Sequence, residues 1–509
     1  MSPGNGYAFW RLLHAEWTKF RSVRGWLIGT AVAALMIVLF AVLTGASAIG
    51  HDAPPVPIGP AGEPVSDSFY FLHQPLHGDG RITVAVTSLT TTIGGDRGHD
   101  ATVPWAKVGL IIKAGTGPGT SYAAVMVTGG HGVRMQDDYL HDYAGQPGQV
   151  SAADPRWLRL TRSGDTITGE ASTDGTHWSR LATVRLAGLP ATVQAGLFVA
   201  CPPSVQGRGT RTAAATAVFG HPDLQGQWPQ GMWNGEQIGA GTATFGGYPP
   251  LPTGGAADIH GQRMSGGFAP SGDGFTMTGA GDIAPATRSD LPAAGVIGDL
   301  LFGTFPALIA LCVVGALFIT TEYRHTLIAT TLTASPHRAR VLAAKAIVLG
   351  CVTSLTSLPA TALALPIGER IARAHGIYLF PVSTATAVRV GLGTAALLAL
   401  TAVLALGVGT VLRRSATAVT TVVVALVLPH LLVLTPILPA SAQRWLSLVT
   451  PDAAFAVQQT LTHYPQADSV YTPTNGYYPL GPWTGLAVLC GYAAVALALA
   501  AILLRRRDT

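Results

Sequence analysis

The chain has 509 residues, of which 48% are hydrophobic and only 11% charged, against about 25% charged in a typical soluble domain. That balance excludes an ordinary soluble globule and suits a membrane protein with a soluble part of normal polarity. The net charge of +5 comes from basic residues flanking apolar runs, so it points to lipid headgroups and away from nucleic acid. The four cysteines show no CxxC or CxxH spacing, which indicates neither a zinc site nor a disulfide framework.

The chain opens on an amphipathic stretch, residues 7–24, with Trp10, Leu13, Trp17 and Phe20 at spacings of three and four and Arg11, His14, Thr18 and Arg21 opposite. A helix with a Trp-rich face and a basic face suits the inner membrane interface, and residues 1–25 are expected to form such a cytoplasmic segment. Residues 26–50 carry no charged side chain, and about 20 apolar residues cross a bilayer. The run is too long for a signal-peptide core of about 7 to 15 residues, so it is expected to be an uncleaved first span.

From His51 the texture changes. Pro, Gly, Asp and Thr become frequent, and short alternating segments appear at 81–89, 107–113, 122–127, 157–161, 166–172 and 194–199. Turn signals such as Gly94-Gly95, Gly117-Pro118 and Asp174-Gly175 separate them, the pattern of an all-β sandwich or barrel. Residues 51–290 are therefore expected to form a β-rich domain. Trp228 and Trp233 within a Gly/Pro-rich stretch could stack on sugars, whereas Trp105 and Trp157 beside alternating segments suit the core. Asp137-Asp138 suits a solvated turn better than a catalytic or calcium pair.

Five more apolar runs follow, at about 300–321, 346–368, 390–412, 415–438 and 480–504, making six spans in all. Basic residues cluster before the first span, after the second, between the fourth and fifth, and at Arg505–Arg507. All fall on one side if both termini are cytoplasmic, which places the β-rich segment outside the cell membrane. In the external segment 439–479, Thr450-Pro451-Asp452 is a helix-start signal, and a short helix is expected to dip into or lie on the outer leaflet. The runs contain almost no ionisable residue. His430 is expected to be a kink residue hydrogen-bonded to a neighbouring helix, with a pathway role as the alternative. A proton- or sodium-driven transporter needs buried carboxylates or unwound half-helices, so energy is expected from elsewhere. No GxxxxGK[ST] loop occurs, so the chain has no ATP cradle of this kind.

Three stretches carry a family resemblance: LHAEWTKFRSVRGW (13–26), TTEYRHTLIATTLTASPHRARVLAAK (320–345) and TPDAAFAVQQT (450–460). Together they resemble the permease subunit of an actinobacterial type-2 ABC transporter. The resemblance implies an exporter-like, six-helix membrane fold that dimerises with itself or a second permease. It also implies a coupling loop, 322–345, that docks on a separate ATPase subunit, where the ATP is bound; the chain itself would be no enzyme and hold no cofactor. Glu322, Tyr323, Arg324, Arg338, Arg340 and Lys345 are the coupling residues so implied. Thr326, Leu327 and Ala329 stand where the family carries Gly, Thr and a basic residue. Between the first two spans the family has only a short loop. Here residues 66–219 resemble concanavalin-like jelly rolls, with SFYFLHQPLHGDGRITVAV, WAKVGLIIKAG, SYAAVMVT and STDGTHW as the matching pieces; residues 219–290 are expected to be irregular or β-rich. The expected function is export of an unidentified substrate. The alternative is a membrane-anchored protein that recognises extracellular glycan or lipid.

Overall fold

The computed structural model describes residues 3–47, 55–94, 99–206, 209–229, 231–239, 266–291, 294–324, 337–435 and 437–507. The chain divides into two compact units. One joins residues 1–52, 293–463 and 471–509; the other joins 53–292 and 464–470.

The first unit is helical. Helix α1 (Pro3–Ser22) is followed by α2 (Arg24–Ser47), the short α3 (Ile297–Leu300), α4 (Thr304–Arg324), α5 (Arg338–Ala374), α6 (Thr384–Leu412), α7 (Ser415–Leu434), α8 (Ala440–Val449) and α9 (Pro482–Arg507). Six of these, α2, α4, α5, α6, α7 and α9, are long and apolar enough to cross a membrane. Helix α6 packs against α4, α5 and α9, while α2, α7 and α9 leave Leu35, Leu43, Leu428, Val495 and Leu499 exposed. Apolar side chains on outward faces suit a hydrocarbon environment, where they cost nothing. Small residues let the inner helices approach closely. A Cβ added at Gly315 of α4 would sit 2.3 Å from the Ala402 carbonyl oxygen of α6, and Ala395 and Ala399 of α6 are buried.

The segment starting at Pro451 is a 3-10 helix, Pro451–Gln458, packed against α6 and α9 with Pro451 through Val457 buried. It therefore lies inside the helical unit. Its run of Ala, Phe and Val has too little polar surface to rest against water.

The second unit is a large β-sheet domain. Its axis is the strand Phe69–Ile93, 25 residues long. On one edge this strand pairs antiparallel with Thr192–Ala200 and then with Arg156–Ser163. The other edge takes Asn234–Ile238, Asp223–Gln227 and Ala213–Phe219 in turn. Gly78, at φ +65°, supplies the left-handed residue at which the strand leaves one set of partners for the other. The main order runs Ser179–Arg185, Thr166–Ser172, Arg156–Ser163, Phe69–Ile93, Thr192–Ala200, Lys107–Lys113, Tyr122–Thr128, Val133–Asp137, His141–Ala144. Its first strand faces its last two, so the sheet curls into a nearly closed barrel around Leu72, Val84, Leu110, Val125, Leu158 and Leu197.

Residues beyond 219 complete this sheet: Gly274–Gly279 pairs with Ala213–Phe219, and Ile283–Pro285 pairs with Val65–Asp67. The central strands Lys107–Lys113 and Tyr122–Thr128 are buried along their whole length, which their near-continuous apolar sequence allows. The lysines that interrupt it are neutralised in place. Lys107 Nζ donates to Asp282 Oδ1 at 2.6 Å and Lys113 Nζ to Asp67 Oδ2 at 2.8 Å, as buried charges require. Residues 464–470, expected within the external helical segment, belong to this unit. Gln466 Nε2 donates to the Leu140 carbonyl at 3.0 Å, and Ser469 and Ser289 share a hydroxyl hydrogen bond at 2.5 Å.

Candidate functional site

On α1, Leu13, Glu16 and Phe20 recur at three and four residues, so one helix face presents all three. That face meets the rest of the helical unit: Glu16 and Phe20 are fully buried, and Leu13 packs on the core. Trp10 and Trp17 lie about 20° apart around the axis at 3.6 residues per turn, roughly a quarter-turn from the buried face. They are 71% and 42% exposed. The expected four-residue apolar face therefore splits into an anchoring stripe, Leu13 and Phe20 around Glu16, and a Trp pair left outside.

Phe20 anchors the helix through aromatic contacts. Its ring centroid lies 5.8 Å from that of Trp26 on α2 and 5.5 Å from that of Phe318 on α4, and Trp26 meets Phe318 edge-on at 5.0 Å. Beside these rings lies a cluster of four charges. Lys345 of α5, wholly buried, donates to Glu16 Oε2 at 2.8 Å and to Glu322 Oε1 at 2.6 Å, with its ammonium 4.7 Å from the Phe318 ring centroid. Lys19 donates to Glu322 Oε1 at 3.2 Å and lies 3.5 Å from Glu16 Oε1. Burial alone would lower the Lys19 ammonium's pKa, but the Glu16 and Glu322 carboxylates more than offset it and raise it. Two lysines against two glutamates leave the cluster neutral, which is what makes its burial tolerable.

Glu322 lies in the last turn of α4 and Lys345 two turns into α5, so the cluster clamps the helices on both sides of the connection between them onto α1. Residues 326–329 of that connection lie outside the described residues. The other expected coupling residues sit around the clamp. Tyr323 is half-buried with the Arg413 guanidinium 5.0 Å from its ring centroid, and Arg338 Nη1 donates to the Leu504 carbonyl at 2.5 Å. Arg340 is half-buried and Arg324 exposed at the end of α4, where a cation suits the helix dipole. One end of the helical unit thus ties α1, α4, α5, α6 and α9 together. Of the six residues, Glu322 and Lys345 are turned inward and Arg324 outward. Glu16 and Lys19, absent from the expected set, complete the cluster; Glu16 as the lone acid in a basic helix was their sequence signal.

A second buried pair was not legible. His430 Nδ1 lies 2.6 Å from Asp452 Oδ1, and Asp452 is wholly buried. The histidine does bond a neighbouring element, but its partner is a carboxylate from outside every apolar run.

In the β unit, Trp228 and Trp233 are half-buried against the barrel core. Trp228 Nε1 donates to the Gln225 carbonyl at 3.1 Å, and Trp233 meets Phe275 edge-on at 5.9 Å. Asp137 pairs with His141 at 3.0 Å, and Asp138 Oδ1 accepts the Tyr122 N–H at 3.2 Å. Among the described residues no group of three or more His, Cys, Asp or Glu could hold a metal ion.

No protein-family model and no curated protein matches the chain. Solved structures similar to part of it include a functionally unknown protein from Saccharomyces cerevisiae, at 13% identity and TM-score 0.22, covering 36% of this chain and 86% of that one. Another is scytalido-glutamic peptidase with a transition-state analogue inhibitor, at 9% identity and TM-score 0.25, covering 42% of this chain and 98% of that one. Scores this low bear on neither fold nor activity. What fold and site define together is a chain with six helices able to cross a membrane, a large β-sheet domain between the first two, and a charge clamp on the second-to-third connection.

Proposed function

We propose that this chain is the membrane-spanning permease subunit of an ATP-driven exporter, powered by a separate ATPase subunit and working as a dimer of permeases. The observation that carries the reading is the Glu16–Lys345–Glu322–Lys19 clamp. A push on the 325–336 connection reaches α1, α4 and α5 together, because displacing one partner would leave a buried charge uncompensated, a cost of about 3–5 kcal/mol. The sequence supports the need for an outside motor, having no phosphate-binding loop of its own.

The orientation follows from charge. Arg21, Arg24, Arg324, Arg338, Arg340, Arg413, Arg414, Arg505 and Arg506 flank one set of span ends, which puts both termini in the cytoplasm and the β domain, a jelly-roll-like insert, outside. The exposed Trp10 and Trp17 then sit at the headgroup level of the inner leaflet. The glycan-recognition alternative has weaker support, since Trp228 and Trp233 are half-buried against the barrel core.

The test separates docking from transmission. Arg324→Glu should abolish co-purification of the ATPase partner. The triple replacement Glu16→Gln, Glu322→Gln, Lys345→Met should keep co-purification but lose substrate-linked ATPase stimulation. If the triple variant stimulates like the wild type, the clamp does not transmit; if no ATPase co-purifies with the wild type, the export reading fails.

A further inference from the structure

The His430–Asp452 pair borders a cavity in the helical unit that the clamp does not use. Asp452 can only accept when ionised, so the proton of His430 sits on Nδ1, and a neutral ring presents Nε2 as an acceptor. Among the described residues Nε2 has no hydrogen-bond partner. The ring is held flat between Phe455, stacked at 4.1 Å, and Phe305, at 5.3 Å. Asp452 is itself braced by the Ser447 hydroxyl at 3.4 Å.

The cavity has a volume of about 130 Å³, and Phe302, Phe305, Phe455, Leu434, Asp299 and Tyr478 contribute to its wall with His430. It shares Gln459, Pro473 and Tyr478 with a wider cleft of about 900 Å³, lined by Trp445, Tyr471, Tyr477, His463 and Arg444 among others. The charge bias runs inward: Asp299 lines the narrow end, where Asp452 holds His430 from its buried side, and Arg444 lines the wide one. Arg389 Nη2 donates to the carbonyl of Gln459, a lining residue, at 2.5 Å. A narrow aromatic pocket with a ring-nitrogen acceptor and a carboxylate matches a protonated amine on an apolar body: the ammonium donates to Nε2 and lies over ring faces.

We propose that this cavity binds the ammonium end of an apolar amine, with the wide cleft holding the apolar body. As a substrate class this rests on the export reading; as a binding site it does not, and the two fail separately. The other titratable groups at this site are Asp299 from α3 and Tyr478 from the segment before α9, which line the cavity, and Asp452 from the 3-10 helix on Nδ1 of the ring. Helix α7 itself contributes none.

The experiment is equilibrium binding of phenylbutylammonium, phenylbutanol and phenylbutyrate to the full chain in lipid nanodiscs, without an ATPase. The ammonium should bind at least ~10-fold tighter than the alcohol, and the carboxylate weakest. Asp299→Asn keeps an oxygen for the Val296 N–H, which Asp299 Oδ2 accepts at 2.9 Å, and should cost the ammonium about 10-fold while sparing the alcohol. Equal binding of all three probes, tightest binding of the carboxylate, no saturable binding, or an Asp299→Asn variant that binds the ammonium normally would each overturn the proposal.

Discussion

Lys345 carries no exposed surface and contacts two carboxylates, so its loss leaves two buried anions with only the half-exposed Lys19 against them. Lys345→Ala should destabilise the helical unit by about 3–5 kcal/mol, whereas the triple replacement named above removes the three buried charges together, leaves only the half-exposed Lys19 without its carboxylates, and should melt closer to the wild type. Thermal unfolding of the full chain in detergent separates the two. If Lys345→Ala melts like the triple variant, the lysine is not the keystone of the cluster. In the β unit, Asp290 gives a signed pH prediction. Burial pushes its carboxyl up to about 7, against partial relief from the Thr287 N–H at 2.7 Å and a further upward push from Asp282. Unfolded, it titrates near ~3.9. Between about pH 4 and pH 7 the folded state therefore holds the extra proton, and stability falls as pH rises through that window. Asp290→Asn, which keeps an acceptor for Thr287, should be more stable than wild type at pH 8 and no different at pH 3.5. Amide exchange of Val65–Asp67, Ile283 and Ala284, read as variant minus wild type, measures it.

Between elements, what decides is how closely backbones can approach. Gly315 and Gly350 read alike in sequence, each a glycine in an apolar helix. A Cβ at Gly315 would meet the Ala402 carbonyl oxygen at 2.3 Å, while one at Gly350 would meet nothing nearer than the Val403 side chain at 3.6 Å. Gly315→Ala should therefore force α4 from α6 and lower the melting midpoint. Gly350→Ala should be neutral or gain about 0.5–1 kcal/mol from helix propensity. Equal effects of the two would mean that α4 and α6 do not cross as closely as described. Helix α1 shows the same principle. Its period indicated an amphipathic helix, but which three of its residues face inward depended on where Trp26, Phe318 and Lys345 were waiting.

For the whole molecule, the two units do not follow two contiguous stretches of chain. Residues 464–470 complete the β unit, with Gln466, Ala467, Ser469 and Val470 buried. A fragment ending at residue 292 would bare the surface these cover. Residues 53–292 alone should therefore bind a hydrophobic dye and aggregate, and the same fragment with 464–470 appended through a flexible linker should bind less dye and melt higher. Indistinguishable fragments would show that the segment is dispensable to the β fold.

Hydropathy, which sums along the chain, made the six long helices legible from sequence, since about 20 apolar residues in a row leave few other solutions. Alternation and Asp-Gly or Gly-Pro turns likewise marked the β-rich insert, and Glu322 and Lys345 stood out as charges bracketing one connection. What required the tertiary structure was every pairing across long separations. Glu16 meets Lys345 across 329 positions, His430 meets Asp452 across 22, and 464–470 meets turns 180 and 326 residues earlier. Periodicity says which face of an element is apolar and says nothing of the partner it will meet. A buried charge is stable only once that partner has arrived, so the clamp and the His430–Asp452 pair exist as sites only in the folded chain.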